Sequence, residues 1–279
     1  MVKPIEAREI HMSAAENPRT IRAPFPYMGG KSHLAKQIIP LFPNHHTYVE
    51  PFCGAAWVFL NKKPSKVEVI NDLSGELVNL WRVIQNHHDE LFRYFRFAII
   101  SREQFNWEKS RPTAHLTDIQ RAARFFYIQR LSFSGRPDYP SFSSSPDCAS
   151  NLNPNRLKQD LEAVHSRIKR TYIENLDAID CISRYDRSKT FFYIDPPYWK
   201  RRGYKHLMNE EDFKRLRNTL LTLKGRFILS LNECPEVREL FAEFTIQTVD
   251  TFYSVANYRS SPDSKRKTKE LLIHNLQPP

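Results

Sequence analysis

Along the chain, short and almost wholly apolar runs alternate with longer segments in which apolar residues return every three or four positions. The first pattern predicts strands buried on both faces; the second predicts helices that lay one face on them. Residues 47–52 (Thr-Tyr-Val-Glu-Pro-Phe) read as a strand, followed by the tight turn Cys53-Gly54 and a helix over 55–61. A second strand covers 66–70 and ends in Asn71-Asp72, and a helix over 76–95 sets Leu77, Leu80, Trp81 and Ile84 on one face. Strand, helix and strand in this order predict a parallel sheet with right-handed crossovers. The pattern resumes late, with strand 191–194, helix 210–223, strand 226–231, helix 235–241 and strands 244–249 and 270–274.

The 122 residues between Asp72 and Asp195 are too many for one crossover. Helical spacing over 117–131 and 155–169 brackets a stretch rich in Ser, Pro, Asp and Asn, whose biased core 141–146 reads as an exposed loop. The expectation is an α/β domain built from 21–84 and 176–279, interrupted by a helical subdomain over 85–175. Residues 1–20 mix Lys3, Glu6, Arg8, Glu9 and Glu16 without an apolar run, which predicts a flexible arm and not a secretory signal.

Strand 191–194 stops in Asp195-Pro196-Pro197-Tyr198. Two prolines fix φ and donate no backbone N–H, so the strand cannot continue and carbonyls there stay free. A carboxylate beside a free carbonyl accepts hydrogen bonds from an –NH2 group, and the neighbouring ring offers a stacking face. Together they suit the exocyclic amine of a nucleobase, although four such residues also serve simply to end a strand. Ligands of open α/β sheets bind beyond the carboxyl ends of the strands. Glu50-Pro51-Phe52-Cys53-Gly54 sits at one such end and Asp72 at the next, 20 residues after Phe52. That spacing matches an acid on the ribose hydroxyls of an adenosine-type cofactor. The single glycine of the first turn disfavours a nicotinamide dinucleotide. Gly29-Gly30-Lys31-Ser32 is not a phosphate loop, because Phe25 stands where that loop needs its first glycine.

Charge narrows the partners. With 42 Lys and Arg against 31 Asp and Glu, the net charge of +11 favours a polyanion and salt-sensitive association. Basic residues cluster at Lys200, Arg201, Arg202 and Lys205, directly after the Asp-Pro-Pro-Tyr turn, and at Lys265, Arg266, Lys267 and Lys269. The four cysteines (Cys53, Cys148, Cys181, Cys234) are scattered, which predicts a reducing compartment and no zinc site. The adjacent pairs His45-His46 and His87-His88 cannot share a helix face, and no metal is expected. No run is apolar and long enough to span a membrane, in keeping with a mean hydropathy of −0.57.

Five motifs in order then resemble one family. They are Pro24 to Lys31 (Pro-Phe-Pro-Tyr-Met-Gly-Gly-Lys), Tyr48 to Gly54, Asn71-Asp72, Ala122 to Arg136, and Asp195 to Tyr198, with Phe227 to Asn232 and Glu270 to Ile273 as further matches. The chain is similar to the Dam-type (α group, D12 class) DNA adenine-N6 methyltransferases. This resemblance implies a Rossmann-like sheet dependent on S-adenosyl-L-methionine, with a DNA-recognition subdomain inserted in it. It implies cofactor contacts at Tyr27, Gly29, Gly30, Lys31, Glu50, Pro51, Phe52, Gly54, Asp72 and Asp195, and chemistry at Asp195, Pro196, Pro197 and Tyr198. It points to double-stranded DNA as substrate, in a cytoplasmic, nucleoid-associated setting of a bacterial or phage-infected cell, as in restriction-modification. DNA contacts are expected at Arg130, Ser134, Gly135 and Arg136, with Lys200, Arg201 and Arg202 from the basic run. Arg130 to Arg136 also reads as an ordinary helix C-terminus with a cation and a glycine stop. One departure stands out: the family usually has a second glycine after Gly54, and here Ala56 and Trp57 follow, crowding the methionine moiety or displacing the helix. An aspartate at 195 favours adenine over cytosine. RNA adenine and a non-catalytic DNA-binding protein with a degenerate pocket are the competing readings.

Overall fold

Fully apolar runs pair with each other because only a sheet satisfies their backbone while covering both faces. The computed structural model describes residues 20–32, 34–135, 140–144, 147, 149–200, 206–252 and 267–276. Among these, seven strands form one sheet: β1 (Thr47–Glu50), β2 (Val67–Asn71), β3 (Tyr172–Glu174), β4 (Thr190–Ile194), β5 (Arg226–Asn232), β6 (Thr245–Phe252) and β7 (Lys267–His274). Their order is β3-β2-β1-β4-β5-β7-β6. Pairing is parallel from β3 through β5, and β7 runs antiparallel between β5 and β6. The mixed α/β, Rossmann-like methyltransferase architecture expected from the sequence is present.

Period-two alternation divides β4 between two cores. Phe191 and Tyr193 join the cluster on one face, where α2 (Trp57–Asn61), α3 (Gly75–Asn86), α4 (His88–Phe95), α6 (Asp118–Leu131) and α7 (Pro154–Ile168) pack. Phe192 and Ile194 join the other, with α8 (Ala178–Tyr185), α9 (Glu210–Leu221) and α10 (Pro235–Leu240). Each large side chain so buried contributes roughly 1.5–3 kcal/mol. Phe25 anchors the N-terminal segment: it is 1% exposed and meets the rings of Trp81, Phe125 and Phe126.

Several boundaries differ from the sequence reading. The helix expected over 76–95 breaks at His87 (φ −140°), whose N–H closes α3 on Val83 O and whose carbonyl accepts from Leu91 N to open α4. The short helix α1 (Ala35–Ile38), α5 (Arg102–Ser110), α8 and β3 were not anticipated. Strand β3 corrects the expected boundary at 175, since residues 172–174 pair with β2 and belong to the sheet. The helical insert also shares one hydrophobic cluster with the sheet face. A buried ion cluster ties α7 to the sheet, Glu68 accepting from both Lys62 and Arg167. The arm 1–19 lies outside the described residues.

Asn71, 1% exposed at the end of β2, holds three strand ends together. Its Nδ2 donates to Pro51 O (2.8 Å) beyond β1 and to Leu176 O (3.1 Å) beyond β3, and its Oδ1 accepts from Leu176 N (2.8 Å). Removing the amide strands buried polar groups at about 1–3 kcal/mol each. Asn71→Ala is therefore expected to lower unfolding free energy by roughly 2–4 kcal/mol in urea titrations; a loss below about 0.5 kcal/mol would show that these ends do not depend on the amide.

Candidate active site

The chain leaves β1 toward one side of the sheet and β4 toward the other, so a crevice opens between two neighbouring carboxyl ends. A cavity open to solvent occupies it, with about 1300 Å³ of empty space when the solvent at its mouth is included. All ten positions expected to hold a cofactor line this space. Tyr27, Gly29, Gly30 and Lys31 come from the N-terminal loop, Glu50, Pro51, Phe52 and Gly54 from the end of β1, Asp72 from β2 and Asp195 from β4.

The turn after β1 brings the backbone close to that cavity. Gly54 has φ 48°, and a side chain there would meet the Tyr27 ring 3.1 Å away. Its N–H donates to Asp72 Oδ2 (3.1 Å), while Ser74 N donates to Oδ1 (2.9 Å), so the Asp72 carboxylate is held by two amides. Burial nevertheless raises its pKa, against the pull of those amides. Ala56 also adopts the left-handed region (φ 52°, ψ 35°), a conformation that costs a residue with a Cβ roughly 1–2 kcal/mol. The missing second glycine therefore strains the backbone at Ala56. Trp57 forms cavity wall: an added Cβ on Gly30 would lie 3.2 Å from its indole.

At the end of β4 a buried lysine gathers acids. Lys31 Nζ donates to Asp195 Oδ1 (2.6 Å) and to the Tyr198 oxygen (3.0 Å), and it lies 3.3 Å from Glu270 Oε1. Burial pushes the Asp195 carboxyl up to about 6; Lys31 opposes this and the Glu270 charge adds to it. Burial likewise lifts Glu50, 2% exposed, to about 8, although it accepts a 2.6 Å bond from the Tyr48 hydroxyl. Tyr198 corrects an expectation. It is 3% exposed, its hydroxyl donates to Glu270 Oε2 (2.7 Å), and Lys31 sits over its ring at 4.7 Å, so it presents no stacking face. Pro196 and Pro197 line the cavity beside Asp195.

Residues 27–255, most of the chain, match the family model described as D12 class N6 adenine-specific DNA methyltransferase. The chain belongs to that family. It is 24% identical to the Type II methyltransferase M1.LlaDCHI of Lactococcus lactis subsp. cremoris, over 89% of this chain and 93% of that protein. It is 25% identical to the Type II methyltransferase M.CviBI of Paramecium bursaria Chlorella virus NC1A, over 89% and 97%. A DNA adenine methylase of Salmonella typhi matches at 24% identity over 63% of this chain and 65% of its own length. This is a site-specific, adenine-directed DNA methyltransferase.

The residues of this methyltransferase expected to meet DNA fall into three groups. Arg130 turns inward: its guanidinium donates to Asn151 O (3.1 Å), faces Asp160 (3.8 Å) and lies over the Phe126 ring, which makes it an anchor for the following loop. Gly135 is buried with φ 62°, and its carbonyl accepts from Met28 N (3.3 Å); a side chain would strike the Pro26 backbone at 2.8 Å. Ser134 shares the single 3-10 turn Phe133–Gly135 with it. Lys200 is exposed and pairs with Glu236 (3.0 Å). Arg136, Arg201 and Arg202 lie outside the described residues.

Among the groups that escaped the sequence reading, Asp177 and Ile179 reach the cavity from beyond the end of β3, and Glu270, on β7 and outside the cavity wall, supports Lys31. The signal for Asp177 was present: Tyr-Ile-Glu followed by Asn-Leu-Asp repeats, at β3, the pattern of an acid just past a strand end. Among the described residues no group of three or more His, Cys, Asp and Glu could hold a metal ion.

If Asp195 is the group that must be ionised to accept an amine, the methylation rate is expected to rise with pH and level off above about 6. Stability runs the opposite way. A carboxyl whose pKa is raised in the fold contributes stability that is complete below about 4 and lost as pH rises through about 6. Initial rates of methyl transfer between pH 5 and 8 check the first statement; a flat profile across that window would remove Asp195 from its role.

Proposed function

We propose that the protein transfers a methyl group from S-adenosyl-L-methionine to N6 of an adenine rotated out of duplex DNA. The observation that carries this reading is Asp195 at the rim of the β1–β4 crevice, with Oδ1 held by Lys31. The donor set suits that cofactor. Asp72, fixed by two amides, is placed for ribose hydroxyls. Phe52, Leu73 and Ile179 supply apolar wall for a flat base. Glu50, buried and largely protonated at neutral pH, supplies an acid for a cationic amino-acid moiety. When bound, the cofactor supplies an electrophilic methyl group on a sulfonium.

Adenine N6 is a weak nucleophile because its lone pair is delocalised into the ring. Asp195 and the Pro196 carbonyl accept its two N–H bonds, which draws the nitrogen toward tetrahedral geometry. Holding it there removes much of the entropic barrier. The ionised carboxylate stabilises positive charge as it develops on nitrogen. With a pKa near 6, Asp195 then accepts the surplus proton and releases it to solvent, to which its side chain is 18% exposed. Rotating the base out of the duplex costs a few kcal/mol. The net charge of +11 supplies a salt-sensitive attraction to DNA that offsets part of it. We assign target recognition to the helical insert, whose sheet-side limit lies at β3. A DNA substrate and scattered cysteines suit a cytoplasmic setting, and the relatives named Type II methyltransferases suit a modification role.

Asp195→Ala is expected to cut methylation by about 10³-fold or more while leaving duplex affinity within a few-fold. Sequencing that detects N6-methyladenine, on DNA from a methylation-deficient host expressing each form, checks this. Turnover near the wild-type rate in the variant sinks the reading. Cofactor binding at pH 7 should also release a proton from Glu50, seen as a binding enthalpy that varies with the ionisation enthalpy of the buffer. Glu50→Gln should abolish that dependence.

A further inference from the structure

Below the cavity floor lies a second layer of polar groups sealed from solvent. Its centre is Glu270, 1% exposed on β7. Both its oxygens are engaged. Oε2 accepts the Tyr198 hydroxyl (2.7 Å); Oε1 accepts the Ser230 hydroxyl from β5 and lies 3.3 Å from Lys31 Nζ. Lys31 in turn donates to both Asp195 and Tyr198. Lys31, Tyr198 and Glu270 thus form a connected ring, joined to Asp195 through Lys31, in which one ammonium serves two carboxylates. A buried ion costs several kcal/mol to desolvate, and apolar residues of similar size usually fill such a place at least as stably. Leu271, Leu272 and Ile273, the next residues on β7, are all fully buried.

We infer that Glu270 is a positioning residue for methyl transfer, fixing Lys31 and the Tyr198 phenol so that the lysine holds Asp195 by Oδ1 and leaves Oδ2 toward the target amine. This rests on the methyl-transfer reading above. Geometry makes it indirect: a side chain 1% exposed beneath the floor cannot touch substrate. Two consequences follow from the shared lysine. Removing the Glu270 charge commits the ammonium wholly to Asp195, which weakens that carboxylate as an acceptor. It also removes a like charge, which makes Asp195 easier to ionise. The other charged or titratable groups coupled to this ring are Glu50 on β1 and Tyr193 on β4, and neither changes in the test.

The test uses the full chain with Glu270→Gln and Glu270→Asp, following kcat and KM for a methylatable duplex from pH 5 to 8, with thermal midpoints over the same range. Glu270→Gln should lower kcat about 10-fold or more with KM for DNA little changed. Its acid limb should move to lower pH by roughly a unit or less. Its midpoint should also fall less between pH 5 and 7.5 than that of the wild type, because Asp195 is then less perturbed. Glu270→Asp, which keeps the charge, should keep the limb near the wild-type position. An unmoved limb in Glu270→Gln, or a lowered midpoint with unchanged kcat, would overturn the inference and leave Glu270 a structural ion. If Glu270→Gln does not fold, Glu270→Asp decides: reduced kcat at constant KM supports the role, and unchanged kcat refutes it. A wild type that methylates nothing would refute the parent reading instead, and the midpoint comparison would still report whether Glu270 and Asp195 are coupled.

Discussion

The contact between Lys31 and Asp195 joins the two halves of the site. Asp195 ends the central strand β4, where a carboxylate is starved of water, and Lys31 reaches it from a loop 164 residues earlier in the chain. Neither charge is stable there alone, since a buried ion without a partner costs several kcal/mol. The pair therefore fixes the N-terminal loop over the sheet, and the loop becomes one wall of the cavity. What remains unbalanced is informative. Even with the lysine beside it, Asp195 keeps a raised pKa. The fold tolerates an acid that is easier to protonate than in water, at the position proposed to receive a proton.

Much of this was legible in the sequence. The apolar runs located six of the seven strands, because strands buried on both faces carry no ambiguity of register with solvent. The acids at strand ends declared themselves by position: Glu50 and Asp195 directly follow apolar residues, and Asp72 follows one residue later, after Asn71. Strand β3 was not legible for the converse reason. It has three residues at a sheet edge, and Tyr172 is 60% exposed, so it lacks the apolar run that marks its neighbours. The break between α3 and α4 hid for another reason, since His87 interrupts the hydrogen-bond ladder without interrupting the apolar spacing.

Side-chain direction was the other limit. Arg130 and Tyr198 have the composition of a nucleic-acid surface, a cation and an aromatic ring, yet both are spent on the interior. Sequence specifies which groups are available, and packing decides which way they point. Asp160 on α7 and Glu270 on β7 settled those two cases from 30 and 72 residues away. Glu270 itself was visible only as part of the run Glu-Leu-Leu-Ile, where one acid among apolar neighbours carries no hint of its partners.

The buried Gly135 has a mechanical consequence. Its carbonyl accepts a hydrogen bond from Met28, and its Cα lies so close to Pro26 that no side chain fits between. Met28 and Tyr27 are cavity wall, whereas Gly135 belongs to the helical insert proposed to read DNA. A close backbone contact thus joins the insert to the cavity wall. If the insert reads DNA as proposed, this contact is where a displacement of the insert would reach the cavity wall. By thermodynamic linkage any such influence would run equally in both directions, so fidelity would depend on this contact as well as on the residues that touch the bases.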